Sequence, residues 1–343
     1  MIRVLIIKTS SMGDVVHTLP ALTDAMNAIP NIVFDWVVEE RFKAIPAWHP
    51  AVDRVIPIKL RQWKKNKIIN PLQIFSILKS FKKILNQKAY DLVIDPQGLL
   101  KSAFITYLVK APSVGYQSDS IREKLAAYFY NKNYAVSWGL HAVERIRQLF
   151  SQALYYPVPK TMADYGVDKT QWLQVQQEPY VLFFHGTTWA NKHWPENYWK
   201  MLTQLLNKKN MKVKLSWGSQ EEYERSIRIA EKNNAEVLPD LDINGLVPAI
   251  ANASAVVAVD TGLCHLAAAF NVPTVALFGP TDPEKTGVMG KKQVNLAANF
   301  PCAPCLKREC SYKEIAQEWP ASFVTLPPHL VLDQLIKMNI GKD

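Results

Sequence analysis

Short apolar runs alternate along the chain with longer segments whose apolar residues recur at a helical period. Residues 4–7, 181–184 and 256–259 are examples of the runs, which are rich in β-branched residues and typical of fully buried parallel strands. Residues 71–85 repeat apolar positions at a spacing close to 3.6 and predict an amphipathic helix. Alternating strands and helices predict an α/β protein with doubly wound parallel sheets.

The alternation is interrupted once, between Tyr155 and Pro179, where the sequence is rich in proline and glutamine. It restarts at Tyr180, so the chain is predicted to form two Rossmann-like domains, residues 1–160 and 180–343, joined by a linker at 161–179. The last helix, predicted at 330–338, is a candidate for packing back onto the first domain. We expect the two doubly wound sheets to face each other across a cleft, with ligands bound at the carboxyl ends of the strands.

The composition adds that the chain is globular, since 48% of its 343 residues are hydrophobic and 20% are charged. No apolar run approaches the roughly 18 residues that a membrane-spanning helix needs. Residues 1–8 are too short between their basic residues for a signal peptide, so we expect the first strand of a cytoplasmic protein.

The net charge is +10, which favours an anionic partner such as a phosphorylated substrate, an anionic lipid or a nucleic acid. The positive charge is concentrated between Asp53 and Asp91, an interval that contains no acidic residue. Its basic residues are Arg54, Lys59, Arg61, Lys64, Lys65, Lys67, Lys79, Lys82, Lys83 and Lys88. The interval is either a solvated surface or an anion-binding one.

The loops that follow the predicted strands carry the candidate chemistry. Neither half contains Gly-x-Gly-x-x-Gly or the Gly-Lys-Ser/Thr of a P-loop, which disfavours a dehydrogenase or a P-loop ATPase. After the first strand, residues 10–14 end in Asp14 at the start of a helix. Asp14 is either an N-cap or a general base kept ionised by the helix N-terminus.

Four loops of the second half carry polar groups at corresponding strand ends. Residues 185–195 offer two threonine hydroxyls and a lysine to a phosphate. Asp260-Thr261-Gly262 precedes a helix and is either an anion site or an ordinary turn with the aspartate or threonine as N-cap. Residues 278–283 form a glycine–proline turn after the next strand. Glu222 is either a ribose ligand or an ordinary first-turn helix acid, and the other groups are expected to surround a pyrophosphate.

These motifs together resemble the ADP-heptose:lipopolysaccharide heptosyltransferases, over nearly the whole chain. The resemblance rests on residues 8–15 and 34–40, Lys192-His193-Trp194-Pro195, Asp260-Thr261-Gly262-x-x-His265 and the segment 279–283. It implies an inverting, metal-independent glycosyltransferase of the GT-B type without a cofactor. The implied donor is ADP-L-glycero-β-D-manno-heptose, and the implied acceptor is the first Kdo of Kdo-lipid A in the lipopolysaccharide inner core.

The resemblance also implies roles for individual residues. Asp14 matches the catalytic base. The positions that match donor contacts are Thr187, Thr188, Lys192, Glu222, Asp260, Thr261, Gly262 and His265. The positions that match acceptor contacts are Arg61, Lys64, Lys65 and Arg122. Gln62 stands where one relative has arginine. The expected location is peripheral, at the cytoplasmic face of the inner membrane, with salt-sensitive contact to anionic lipid.

Alternatives remain at this stage. Heptosyltransferase II, or a paralogue with another acceptor, would share the donor half, and a sugar-nucleotide 2-epimerase would share the two-domain shape. A nucleic-acid-binding protein fits the charge, but the chain has no recognisable module for that purpose. Cys302, Cys305 and Cys310 resemble part of a zinc site without an obvious fourth ligand, so we expect a loop of reduced thiols without metal.

Overall fold

The computed structural model describes residues 1–59, 71–174, 178–312 and 318–341, with the backbone alone for 71–75. The chain divides into two compact units, Met1–Val167 and Asp168–Asp343. The division lies inside the segment 161–179 that the sequence suggests as a linker.

The first unit contains a six-stranded parallel sheet in the order β3-β2-β1-β4-β5-β6. Its strands are β1 (Ile2–Ile7), β2 (Ile32–Glu39), β3 (Val52–Ile58), β4 (Leu92–Asp95), β5 (Ser113–Tyr116) and β6 (Lys132–Tyr134). Its helices are α1 (Met12–Val16), α2 (Leu19–Ala28), α3 (Ala44–Ala47), α4 (Pro71–Leu85), α5 (Leu100–Tyr107) and α6 (Ala142–Leu154), with 3₁₀ turns at Glu40–Phe42 and Lys124–Phe129.

The second unit contains a parallel sheet in the order β12-β11-β10-β7-β8-β9. Its strands are β7 (Tyr180–Phe184), β8 (Lys212–Leu215), β9 (Ala235–Val237), β10 (Ala255–Val259), β11 (Thr274–Phe278) and β12 (Gln293–Ala297). Its helices are α7 (Glu196–Asn207), α8 (Gln220–Ala230), α9 (Ile243–Ala251), α10 (Gly262–Ala269), α11 (Pro283–Thr286) and α12 (Pro328–Lys337), with 3₁₀ turns at Thr170–Trp172, Ala190–Lys192 and Ala321–Thr325.

Both sheets have the same topology when their strands are counted from the first one of each unit. β1 lies between β2 and β4, and β7 lies between β8 and β10. The strand order therefore reverses direction beside β1 and beside β7, which is where doubly wound sheets bind ligands at the carboxyl ends of the strands. The predicted fold class, two doubly wound parallel sheets, is confirmed.

The central strands are buried on both faces, as their unbroken apolar sequences predict. Every residue of β10 is fully buried, and so are Val4 to Ile7 of β1. Burial of the β10 valines against α7 and α12 places a rigid strand directly before Asp260. The last helix, α12, packs on α7 and β11 within the second unit, and its expected contact with the first domain stays a prediction.

Two features of the sequence-based assignment are wrong in detail. The single helix expected at 15–28 is two helices, α1 and α2, because Pro20 has no N–H to continue the helical ladder and instead sits in the first turn of α2. The strands β5, β6 and β12 were not expected, since they are short and their sequences are polar or contain glycine.

Candidate functional site

Asp14 lies in the first turn of α1, immediately after β1. Ser11, not Asp14, occupies the N-cap position, and both its backbone N–H (2.8 Å) and its hydroxyl (2.6 Å) donate to Asp14 Oδ2. About half of the Asp14 side chain, 47%, is exposed. The carboxylate is thus oriented by its own loop and still reachable by a substrate, an arrangement suited to a general base.

A buried lysine faces the other oxygen of that carboxylate. Lys8 Nζ lies 3.8 Å from Asp14 Oδ1 and donates to the Pro96 carbonyl at 3.1 Å, while only 6% of the Lys8 side chain is exposed. A fixed cation at this distance favours the ionised form of a carboxylate. Sequence reasoning assigned no role to Lys8, although it is the last position before the Thr9–Asp14 loop.

The loop after β4 forms hydrogen bonds with the loop that carries Asp14. Gln97 Oε1 accepts hydrogen bonds from the Thr9 backbone N–H (2.7 Å) and the Thr9 hydroxyl (2.9 Å). Lys101 Nζ donates to the Ser10 hydroxyl at 3.0 Å. The carboxyl ends of β1 and β4 are therefore joined by side chains at the point where the strand order of the first sheet reverses.

The predicted acceptor residues are only partly described by the structure. Arg122 is exposed and lies just before the 3₁₀ turn Lys124–Phe129. Arg61, Lys64 and Lys65 lie outside the described residues, so their assignment stays a prediction.

In the second unit the loops after β7 and β10 meet through an ion pair. Lys192 Nζ is 2.6 Å from Asp260 Oδ2, with 15% and 9% of the two side chains exposed. The Thr281 hydroxyl, from the loop after β11, donates to the same Asp260 oxygen at 2.7 Å. Asp260 therefore positions the lysine, and Lys192 retains further N–H donors for an anion because an ammonium group carries three.

Threonines surround this ion pair. The Thr187 hydroxyl donates to the Asp260 carbonyl at 3.2 Å, and Thr188 is exposed in the same loop. Thr261 is the N-cap of α10, so the partly exposed turn Thr261–Gly262 begins a helix whose first N–H groups have no intrahelical partner. The ion pair with Asp260 places Lys192 beside this helix terminus at the reversal point of the second sheet, so both can offer N–H donors to one anion.

Glu222 lies at the third position of α8, where the Ser219 hydroxyl accepts a hydrogen bond from its backbone N–H. Its carboxylate accepts the Gly218 N–H at 2.8 Å and packs against Gly186 of the β7 loop. A Cβ on Gly186 would come within 2.2 Å of Glu222 Oε1. The absence of a side chain at Gly186 therefore lets Glu222 approach the Thr187–Lys192 loop.

Two further side chains were missed by sequence reasoning. Arg225 Nη1 is 2.7 Å from His193 Nδ1 and its Nη2 is 3.2 Å from Glu221, which connects α8 to the segment after Lys192. Burial, together with the neighbouring Arg225, lowers the pKa of His193. Arg225 is one helical turn from Glu221, and this spacing is the local signal that could have suggested the pair.

The arrangement matches a known family. The model of glycosyltransferase family 9 (heptosyltransferase) matches residues 78–316. The chain is 52% identical to lipopolysaccharide heptosyltransferase 1 of Pseudomonas aeruginosa, over 99% of both chains. The chain belongs to glycosyltransferase family 9, the heptosyltransferases.

Solved structures agree with this membership. The structure of this family 9 protein resembles that of the E. coli heptosyltransferase WaaC with ADP, with a TM-score of 0.86 and 42% identity over 98% of this chain and all of the other. WaaC with ADP-2-deoxy-2-fluoro heptose gives a TM-score of 0.83 with the same identity and coverage. The predicted GT-B fold type and the predicted enzyme class, a glycosyltransferase, are confirmed.

His265 belongs to the family motif but its side chain is buried, with 4% of the residue exposed. It lies in the first half of α10, one position after Cys264, whose thiol donates to the Thr261 carbonyl at 2.8 Å. The structure places both residues under the Thr261–Gly262 turn. A direct donor contact by His265 stays a prediction.

Three of the four cysteines of this glycosyltransferase lie beside the lysine loop. Cys302, Cys305 and Cys310 are free thiols that line a cavity of about 130 Å³ together with Asn191. The Asn191 side chain donates to the Lys307 carbonyl at 3.1 Å and approaches Cys305 Sγ at 3.4 Å. Burial and the neighbouring thiols raise the pKa of Cys302. No grouping of three or more potential metal ligands occurs among the described residues.

Within the part of the chain that the structure describes, no helix combines the length and the apolar character needed to cross a bilayer.

Proposed function

We propose that this protein transfers L-glycero-D-manno-heptose from ADP-heptose to the first Kdo of Kdo-lipid A, with inversion and without a metal ion. The observation that carries the proposal is the Lys192–Asp260 ion pair beside the α10 N-terminus, in a chain similar over its full length to heptosyltransferase 1. The ADP and ADP-2-deoxy-2-fluoro heptose bound to the related WaaC support ADP-heptose as the donor.

On the donor side, the diphosphate binds at the Thr261–Gly262 turn and Lys192, with Thr187 and Thr188 as hydroxyl donors. The bond between the heptose C1 and the diphosphate oxygen breaks through an oxocarbenium-like transition state, so negative charge accumulates on ADP. Lys192 and the helix dipole stabilise that charge, in the position where other transferases use a divalent cation. Asp260 and Thr281 keep the lysine in place, and Glu222 accepts hydrogen bonds from the ribose hydroxyls.

On the acceptor side, Asp14 removes the proton from the attacking Kdo hydroxyl. Inversion requires a single displacement, in which the hydroxyl attacks C1 from the side opposite to the leaving diphosphate. Lys8 places a positive charge 3.8 Å from Asp14 Oδ1, and the Ser11 bonds hold the orientation of the carboxylate. Anionic groups of the acceptor bind the basic residues Arg61, Lys64, Lys65 and Arg122. The reaction takes place at the cytoplasmic surface of the inner membrane.

Mass spectrometry of the acceptor tests this proposal. Purified protein, ADP-heptose and Kdo-lipid A are incubated with and without EDTA, and the product should gain one heptose in both conditions. A reaction that proceeds only on an acceptor already carrying one heptose would identify a second-heptose transferase. A new sugar nucleotide formed from the donor alone would identify an epimerase. Loss of transfer in EDTA, restored by a divalent cation, would contradict metal independence.

A further inference from the structure

A cluster of large apolar side chains is exposed on the first unit, on α5 and the 3₁₀ turn that follows β5. We call this cluster the aromatic face; its members are Leu100, Phe104, Tyr107, Leu125, Tyr128 and Phe129. The most exposed are Tyr128 at 84%, Tyr107 at 69% and Leu125 at 62%. Single exposed apolar residues are ordinary, but a contiguous group of this kind marks an interaction surface.

The aromatic face is contiguous because its two elements pack together. Leu100, Phe104 and Tyr107 follow one another at helical spacing on the outward side of α5, while Ala103 and Ile105 point inward. The rings of Tyr107 and Phe129 meet edge to face at 6.2 Å between centroids. The surface is therefore a preformed, ordered platform.

Positive charge surrounds the aromatic face. Lys101, Lys110 and Lys124 are exposed on or beside the same two elements. The nearby carboxylate of Glu123 accepts the Leu100 N–H at 2.6 Å and so caps the positive end of α5. Apolar side chains bordered by lysines fit the interface of an anionic bilayer, where aromatic rings sit at headgroup level and lysines meet lipid phosphates.

The neighbouring helix α4 extends this surface. Lys79, Lys82 and Lys83 are exposed on α4. α4 and α5 border an apolar groove of about 180 Å³ that opens at the surface, lined by residues that include Leu78, Phe81 and Phe104 of the aromatic face. The described part of the basic interval between Asp53 and Asp91 thus supplies a cationic border to the aromatic face.

The aromatic face also adjoins the Asp14 loop. Its helix, α5, begins beside the loop, and the Lys101 ammonium donates to the Ser10 hydroxyl at 3.0 Å. A lipid surface touching the aromatic face would therefore bring lipid headgroups close to Asp14.

We propose that the aromatic face inserts into the headgroup region of an anionic lipid bilayer, with Lys110, Lys124 and the exposed lysines of α4 on the lipid phosphates. The inference rests on the proposed function, because an enzyme that acts on a membrane-bound acceptor has to contact the membrane. It differs from the sequence-based expectation, which assigned membrane contact to the basic interval alone, because it assigns the apolar part of the contact to α5 and the 3₁₀ turn.

Flotation of the full chain with vesicles tests the surface directly. Wild type should float with vesicles of phosphatidylcholine and phosphatidylglycerol. With vesicles of phosphatidylcholine alone it should remain in the bottom fraction of the gradient. The double variant Tyr107→Ser/Tyr128→Ser should lose about tenfold or more in vesicle affinity, since it removes two large insertable side chains. The variant Lys110→Glu/Lys124→Glu should lose binding mainly at low salt.

The matched control is Leu173→Ser/Met201→Ser, which removes two apolar side chains of the second unit that are 51% and 48% exposed. It should float like wild type. Equal flotation of the tyrosine variant and wild type, or absence of wild-type binding to anionic vesicles, would overturn the proposal. A wild-type dimer in sedimentation without lipid that becomes monomeric in the tyrosine variant would instead assign the aromatic face to a second copy of this chain.

Transfer assays separate this inference from the proposed function. On a water-soluble, deacylated Kdo acceptor, the tyrosine variant should keep wild-type kcat/KM, and on Kdo-lipid A in anionic vesicles it should lose about tenfold. Equal activity on vesicles would count against the aromatic face. If wild type transferred heptose to neither acceptor, the proposed reaction would be overturned. The flotation experiment would still decide whether the aromatic face contacts the membrane.

Discussion

At the scale of single residues, the Asp14 carboxylate uses its two oxygens differently. Oδ2 accepts both Ser11 hydrogen bonds, whereas Oδ1 faces the Lys8 ammonium at 3.8 Å. The N-cap interpretation of Asp14 is wrong, because Ser11 holds that position and Asp14 accepts its bonds as the third residue of the helix. The role of Asp14 as a general base stays a prediction. Substitutions can separate this role from the hydrogen bonds with Ser11.

Asp14→Asn keeps an oxygen for the Ser11 bonds but removes the basic carboxylate. We expect kcat to fall by about 10²–10⁴ with little change in KM for ADP-heptose, since the base acts only on the acceptor hydroxyl. Steady-state kinetics measure both constants. The control Ser11→Ala removes side-chain capping and should cost about 1 kcal/mol of stability with a much smaller effect on kcat. Near-wild-type turnover of Asp14→Asn would remove Asp14 from catalysis.

Lys192 is the cation that we assign to the leaving diphosphate. Lys192→Met should lower kcat/KM for ADP-heptose by about 10²-fold or more, because charge develops on ADP in the transition state. Lys192→Arg keeps the charge and should recover part of the loss. Isothermal titration with ADP and steady-state kinetics provide the measurements. If Lys192→Met binds ADP and turns over as wild type does, the diphosphate binds elsewhere.

Gly186 offers a test of Glu222 without changing Glu222 itself. A methyl group at Gly186 displaces only the flexible end of the Glu222 side chain, so Gly186→Ala should fold normally. ADP affinity should fall by about tenfold, as expected for a lost hydrogen bond to a charged group. Gly218→Ala is the matched control, because its Cβ would lie at an ordinary 3.6 Å from Glu222. Equal ADP affinity of the two variants would argue against the ribose contact.

At the scale of elements, a buried ion pair fastens α2 to α6. Arg147 of α6 donates to both oxygens of Asp24 on α2, at 2.6 and 3.2 Å, with 2% and 7% of the side chains exposed. Its remaining N–H groups reach Glu144 and the carbonyls of Pro159 and Thr161. The Arg147 guanidinium therefore connects α2 and α6 with the segment 159–161 near the end of the first unit.

Asp24→Ala leaves this guanidinium buried without its main counter-charge. We expect the first unit to lose about 3–5 kcal/mol of unfolding free energy, as for other broken buried pairs. Urea denaturation followed by circular dichroism measures the loss. The double variant Asp24→Ala/Arg147→Met should recover much of it, since no unpaired charge remains. A double variant as unstable as Asp24→Ala would show that packing, not charge, is responsible.

At the scale of the whole molecule, each unit buries a histidine whose pKa lies well below its usual value. Burial lowers the pKa of His49 to about 4, partly offset by Asp164, and burial with the nearby Arg225 lowers the pKa of His185 to about 3. The Ala51 N–H donates to His49 Nδ1 and Thr23 bonds Nε2, so a second ring proton would displace the Ala51 bond. Both units therefore share one source of acid sensitivity.

Acid should destabilise the protein over a defined window. Between pH 6.5 and about 4 the unfolded chain protonates His49 while the folded chain does not, so unfolding free energy decreases as pH falls. The His49 contribution amounts to roughly 3 kcal/mol at pH 4 relative to pH 7. Urea denaturation at several pH values should show a flatter profile for His49→Gln. An unchanged slope in that variant would locate the acid sensitivity elsewhere.

The resemblance in the sequence was sufficient for the family, and local pattern was sufficient for most elements. Unbroken β-branched runs such as residues 256–259 become buried parallel strands, and the helix predicted at residues 71–85 has the same bounds in the structure, as α4. The strands β5, β6 and β12 were missed because short polar strands depend on neighbours that local propensity does not describe. The break before Pro20 was missed as well. The sequence thus predicted which loops carry the site residues, but it did not predict the hydrogen bonds and ion pairs between those loops.

The sequence by itself determined that an aspartate follows the first strand, that a lysine and two threonines follow the seventh, and that Asp260-Thr261-Gly262 begins a helix. Only the tertiary structure decided that Asp260 and Thr281 hold Lys192, that Lys8 faces Asp14, and that exposed rings of α5 and the 3₁₀ turn form one surface. The reason is physical. Strand order and side-chain packing bring distant residues together, and these contacts leave no local periodic signal along the chain.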